Sequence, residues 1–329
     1  MRFLKTLFWL FIVAILGAAG GFAYWAAQPV LAPGQLAMDF AIEPGSSLRS
    51  VADQIAARQI PLQPLLFEAL VRLTGKEGQI KAGHYAIKPG TTPQRLIGQL
   101  VRGEFAQESL VVIEGWTFRQ MRQAVADNPA LKHDTLALTD KELLAKVTTE
   151  FNVPEGLFFP DTYLYAKGAS DLQVYRQAHA ELLKRLEQAW AQRDLTLPYK
   201  TPYEALTMAS IIEKETGQKA ERGLIAGVFV NRLKKGMLLQ TDPTVIYGMG
   251  DKFKGNIRKR DLLTDTPFNT YLRVGLPPSP IALPGNDALR AALRPERTDA
   301  LYFVARGDGT SVFSSNLPDH NRAVNRYQR

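Results

Sequence analysis

At 329 residues the chain is long enough for two compact units, and 46% hydrophobic with 22% charged residues is an ordinary globular balance that excludes a disordered chain. The formal net charge of +8 favours anionic surroundings. The basic residues are dispersed, though, with longest clusters Lys234-Lys235 and Arg258-Lys259-Arg260 and no interleaved aromatics, which argues against nucleic acid, and the absence of cysteine excludes disulfides and thiolate metal ligands.

Arg2 and Lys5 lead into an apolar run over residues 7–27, after which no charged side chain occurs until Asp39. A run of about twenty such residues spans a bilayer as a helix. Trp9, Tyr24 and Trp25 near its ends suit the interface, and the basic leading side holds the N-terminus in the cytoplasm. A cleaved signal peptide has a shorter apolar core and a small-x-small cleavage site, where this chain carries bulky Tyr24 and Trp25. The reading is an uncleaved single-pass anchor in the cytoplasmic (inner) membrane, with the bulk periplasmic or otherwise extracytoplasmic.

Residues 28–37, with Pro29, Pro33 and Gly34, read as a spacer. A strand is predicted over 38–43, a helix from about Ser47, a second helix over 64–73 and a returning strand over 83–87. This order, with AIEPGSSLRSVADQI in front and IKAGHYAIKPG behind, resembles a LysM-like domain. The resemblance implies binding of N-acetylglucosamine-containing glycan; a small α+β spacer without sugar contact fits equally well. Pro-Gly at 44–45, Pro-Gly at 89–90 and Glu-Gly at 114–115 are each followed by a hydroxyl, Ser47, Thr92 and Thr117, placed to cap a helix.

Beyond residue 108 a larger mixed unit is expected. It has a strand at 110–113, helices over 171–193, 202–216 and 220–234, a hairpin of 301–305 and 311–314 around Gly307-Asp308-Gly309, and a closing helix over 319–327. The fold class is α+β: a membrane anchor and spacer (1–37), a small LysM-like domain (38–107) and a larger catalytic domain (108–329).

Most familiar catalytic signatures are missing. His84, His133, His179 and His320 form no H-E-x-x-H pair, and Gly-x-Ser-x-Gly, Ser-x-x-Lys and Walker motifs are absent. Carboxylate chemistry remains, and the segment TPYEALTMASIIEKETG is its clearest carrier. Thr201 with Glu204 has capping-box spacing, and Pro202 suits the first turn. At about 100° per residue Glu213 shares a stripe with Leu206, Ala209, Ser210 and Gly217, while Glu215 points the other way, near Met208, Ile211 and Ile212. A carboxyl among small apolar neighbours stays protonated and can act as an acid. The competing reading is an ion pair with Lys214, Lys219 or Arg222, and structural ion pairs are commoner than catalytic acids.

The run MASIIEKETG, followed by VFVNRLKKGMLLQTDPTVIYGMG, resembles the MltG (YceG-like) family of endolytic murein transglycosylases. So do EGLFFPDTYLY at 155–165, TPFNTYLRVGLPPSPIALPG at 266–285, and LYFVA with a later His320-Asn321 pair. The resemblance covers nearly the whole chain; Ser279 departs from the family's usual glycine in the LPPGPI-type stretch. It implies non-hydrolytic cleavage of the β-1,4 bond between N-acetylmuramic acid and N-acetylglucosamine. Glu213 would protonate the glycosidic oxygen, then take the proton of the muramyl 6-hydroxyl as that oxygen attacks C1, leaving a 1,6-anhydromuramyl end. Glu215 and Ser210 would support it. Gln240, Thr241, Asp242, Thr244, Tyr247, Asn269, Thr270 and Tyr271 would line the glycan cleft, with turn formation around Asp242-Pro243 and Pro267-Phe268-Asn269 as the competing reading. No metal or cofactor is implied. The implied partners are peptidoglycan strands, nascent ones being terminated or trimmed, and a neighbouring cell-wall synthase. A non-enzymatic, membrane-tethered peptidoglycan-binding scaffold and a lysozyme-like hydrolase are the alternatives.

Overall fold

The leading apolar run forms one continuous helix, α1 (Arg2–Ala27), in a computed structural model that describes residues 2–328. By length and composition α1 fits a membrane span or a signal sequence, and its apolar window is exposed along its whole length. The remainder is mixed α and β, and the chain divides into two units.

The first unit runs to Glu108 and takes in Leu164–Ala169 as well. It contains β1 (Met38–Ile42), α2 (Leu48–Ala57), α3 (Pro64–Leu73), β2 (Gly83–Ile87) and α4 (Pro93–Arg102). β1 and β2 pair antiparallel from Met38↔Ile87 to Ile42↔Gly83. The strand period of two sends Phe40, Ile42, Tyr85 and Ile87 to one face, where all four are buried, and Phe40 stacks on its cross-strand partner Tyr85 with centroids 5.6 Å apart. Val51, Ile55, Phe67, Val71, Leu96 and Leu100 from the helices complete this core.

The segment expected to be a spacer belongs partly to the same core. Val30 and Leu31 are buried in it, Ala26 joins them from the last turn of α1, and the Val30 N–H donates to Thr91 O at 2.8 Å. Two aliphatic side chains buried this way stabilise the unit by roughly 1.5–3 kcal/mol each, which a free linker would forgo.

The expected punctuation is present at all three places. Gly45, Gly90 and Gly115 have φ of 78°, 83° and 77°, and the hydroxyls of Ser47, Thr92 and Thr117 accept from Ser50, Arg95 and Gln120 N–H at 3.2–3.3 Å. Each glycine takes a left-handed conformation that a side chain would strain.

β3 (Gln107–Val111) leads into the second unit, which holds α5 (Phe118–Ala126) and α6 (Asp140–Val147); β3 pairs with β4 (Thr162–Ala166). α7 (Asp171–Ala191), α8 (Pro202–Glu215), α9 (Arg222–Lys234), α10 (Asp242–Met249), α11 (Lys259–Leu262) and α12 (Asn286–Leu293) follow. The antiparallel hairpin β5 (Tyr302–Ala305) and β6 (Ser311–Ser314), then α13 (Leu317–Tyr327), close the chain.

α8 is the central element: every residue from Ala205 to Ile212 is buried. α12 packs along it, with Ala288, Ala291 and Ala292 buried there. Small side chains permit close axial approach, so the loop before α12 is brought against the C-terminal turn of α8. Thr201 caps α8, accepting from Glu204 N–H at 3.2 Å, but Glu204 accepts in return from Lys200 N–H at 2.5 Å. The reciprocal half of the expected capping box is therefore displaced by one residue.

Candidate active site

The last turn of α8 carries both glutamates, and their surroundings differ. Glu213 has a side chain only 4% exposed. Its Oε1 accepts from Arg222 Nη2 at 2.8 Å and its Oε2 from the Gly285 N–H at 2.9 Å. Burial lifts its pKa above the ordinary carboxylate value, against the Gly285 N–H and the Arg222 charge, with Glu114 and Asp287 adding to the rise. Both oxygens are thus committed inside the protein. Of the two outcomes weighed from the sequence, Glu213 shows the ion pair.

Glu215 lies about 200° further round the helix. Its Oε2 accepts from the Thr241 hydroxyl at 2.5 Å, and it has no salt bridge among the described residues. Burial raises its pKa, Asp242 adds to the rise, and the Thr241 bond and the charge of Arg232 oppose it. The residue lines a cavity of about 690 Å³ whose walls include Glu221, Phe303 and Ser311. Glu221 is tied to β6 by the Ser311 N–H and hydroxyl at 2.7 and 2.8 Å.

Arg232 lies buried nearby, donating to Leu301 O at 2.6 Å and Leu239 O at 2.9 Å beneath the Tyr302 ring. It acts on Glu215 through its field, without a direct bond, so the carboxyl is not locked as an anion.

The segments 240–244 and 269–271 do come together. Gln240 N–H donates to Thr270 O, Thr241 N–H to the Thr270 hydroxyl, and the Thr244 and Thr270 hydroxyls lie 2.8 Å apart. Tyr271 OH donates to Asp242 at 2.6 Å. Gln240 and Asp242 are exposed and Tyr271 half-exposed, so these three can reach a ligand. Gln240 also has φ of 52°, a left-handed conformation uncommon for a residue with a side chain.

Other expected cleft residues serve the scaffold. Asn269 is fully buried, its amide donating to Leu262 O and Thr264 O and its carbonyl accepting from Tyr271 N–H, so the turn-forming reading holds for it. Thr244 and Thr270 are buried as well, and Thr241 reaches Glu215 from within the fold. Ser210 donates to Thr207 O and accepts from Ile281 N–H at 3.0 Å, pinning the loop that contains Ser279.

Tyr247 is not part of this group. Its hydroxyl donates to Glu155 Oε2 at 3.2 Å, and the Phe118 N–H donates to Oε1 at 2.9 Å. Glu155 is 5% exposed, and burial pushes its pKa up to about 7. It lines a second cavity of about 480 Å³. Within the EGLFFPDTYLY run this carboxyl carries no distinguishing signal, because nothing local in a loop residue announces burial. Among the described residues no group of three or more histidines or carboxylates converges to hold a metal.

Comparison with known proteins gives a consistent family. The model of the YceG-like family matches residues 40–326. An endolytic murein transglycosylase of Bacillus subtilis (strain 168) is 32% identical over 330 residues, spanning 95% of this chain and 91% of that protein. One from Streptococcus pneumoniae serotype 2 is 28% identical, and this chain spans 63% of its length. A crystal structure of a yceG-like protein from Listeria monocytogenes is 30% identical with a TM-score of 0.56, covering 88% of this chain and 99% of that one.

Proposed function

Since this chain belongs to the YceG-like family, we propose that it is an endolytic peptidoglycan lytic transglycosylase, with Glu215 as its proton donor and acceptor. The names of its relatives support the reaction. One observation supports the residue: Glu215 is half-buried, has no ion-pair partner among the described residues and lines the cavity, whereas Glu213 has both oxygens engaged by Arg222 and Gly285. The acid thus moves two residues from the Glu213 suggested by the sequence.

The chemistry follows from one carboxyl. Neutral Glu215 gives its proton to the glycosidic oxygen as C1 of the muramyl ring gains oxocarbenium character. The leaving sugar departs with that proton. The resulting carboxylate is stabilised by the Thr241 hydroxyl and the field of Arg232. It then takes the proton of the muramyl 6-hydroxyl as that oxygen bonds to C1, which restores the acid and closes the 1,6-anhydro ring. Water is not consumed, because the nucleophile belongs to the substrate. Gln240, Asp242 and Tyr271 are the side chains proposed to contact the glycan.

Residues 1–37 carry a single-pass anchor in the cytoplasmic membrane with its N-terminus inside. Residues 38–107 form a LysM-like domain, for which the order β1-α2-α3-β2 is the support, and residues 108–329 form the catalytic domain. Nascent strands beside a cell-wall synthase are the proposed substrate.

Mass spectrometry of glycan strands digested by the full chain tests the assignment. Anhydro-end formation should fall by about 10²- to 10⁴-fold in Glu215→Gln, the loss typical of a removed general acid or base. Near-normal turnover in Glu215→Gln, or reducing ends in place of anhydro ends, would overturn it.

A further inference from the structure

We infer that the cavity lined by α5 and α10 and floored by Glu155 and Tyr247 is a second sugar-binding site, taking an N-acetylhexosamine unit of the same glycan strand. The inference rests on the reading of the chain as a glycan-cleaving enzyme. At about 480 Å³ the cavity falls in the size range of small-ligand sites, about 300–1,000 Å³.

Its chemistry selects a neutral polar guest. The charged groups near its rim cancel in pairs: Arg119 bonds Asp251, and Asp140 bonds Arg122. Among the described residues Glu155 is the one charged group of the lining without an ion-pair partner. The floor is the Glu155 carboxyl, which burial holds partly protonated near neutrality. Its oxygens accept from Phe118 N–H and from Tyr247 OH, the Gly156 N–H also favours the anion, and the four lone pairs of a carboxylate leave one for a sugar hydroxyl. Tyr247 and Phe253 add aromatic surface to the walls. An uncharged ring bearing hydroxyls and an acetamido group matches this lining; a phosphate does not.

α10 connects this cavity to the proposed reaction centre. Thr241, which bonds Glu215, immediately precedes α10, and Tyr247 lies six residues further, about 9 Å along a helix. The same helix thus carries part of this cavity's wall and, at its N-cap, the hydroxyl that holds Glu215.

The test is titration of penta-N-acetylchitopentaose into the full chain in detergent micelles, by calorimetry, alongside kinetics on purified glycan strands. Val153 lines the cavity and is 40% exposed, so Val153→Trp fills the space while the Glu155 carboxyl itself is retained. Tyr247→Phe removes one hydroxyl and decides the question should Val153→Trp fail to fold. We expect Val153→Trp to weaken pentasaccharide binding at least tenfold and to raise KM by a similar factor, with kcat within twofold, and Tyr247→Phe to do the same several-fold. Sugar held by residues 38–107 is common to all three proteins and cancels. Unchanged Kd and KM in a folded Val153→Trp, or no pentasaccharide binding by the wild type, overturns the site. Failure of the lyase reading looks different: variant-sensitive binding without any anhydro ends, which leaves the sugar site standing.

Discussion

Glu213 and Glu215 show how far periodicity carries a residue assignment. Helical geometry separated the two carboxyls onto opposite sides of α8. It was silent on what each side meets, because Gly285 is 72 residues away from Glu213 and Thr241 is 26 away from Glu215. The consequence of the Glu213 ion pair is a stability role. Arg222 is buried, and its Nε and Nη1 have no hydrogen-bond partner among the described residues, so Glu213→Gln leaves an uncompensated guanidinium. Breaking a buried pair from one side costs about 3–5 kcal/mol. Denaturant melts should show that loss in Glu213→Gln and a much smaller one in Glu215→Gln; equal stabilities would contradict the assignment. Glu155 makes a separate prediction, in pH. Its folded pKa of about 7 lies above the ordinary 4.5, so the folded state holds the extra proton between those values. Its contribution is complete below about pH 4.5 and is lost as pH rises through 7, by on the order of 3 kcal/mol at most. Glu213 and Glu215 are shifted in the same direction. The check is therefore the difference between wild type and Glu155→Gln, in which this part of the slope should vanish.

Elements announced by local chemistry were legible, and those made by tertiary contact were not. α2, α3, β1 and β2 follow from period and turn residues, and the caps at Ser47, Thr92 and Thr117 from spacing alone. α10 carries no clear local signal, because Asp242-Pro243 punctuates a chain as readily as it starts a helix. The stretch 28–37 looks like a spacer because prolines and a glycine punctuate it, yet Val30 and Leu31 fill the first unit's core. Leu31→Ala tests that correction. Leu31 is fully buried, and truncating a buried leucine costs about 2–5 kcal/mol, so the melting temperature of the first unit should fall clearly. A true spacer would tolerate the change. Leu36, 88% exposed on the same stretch, is the matched control.

On the scale of the whole molecule, α1 joins an apolar surface suited to lipid with an end suited to protein. Along most of its length it is exposed, and only toward its end do Phe22, Trp25 and Ala26 pack against the first unit's core, followed by Val30 and Leu31. A cleaved signal would be removed near residue 27, which would strip three of these side chains from the core they help to form. Retention keeps them, and it gives a spanning helix that salt cannot extract, since salt screens surface charge and leaves apolar insertion untouched. The mature protein should therefore retain residues 2–27 and remain in the membrane fraction after a high-salt wash. N-terminal sequencing together with fractionation decides the matter, and a mature N-terminus near Gln28 in the salt-soluble fraction would show that α1 is a signal rather than an anchor.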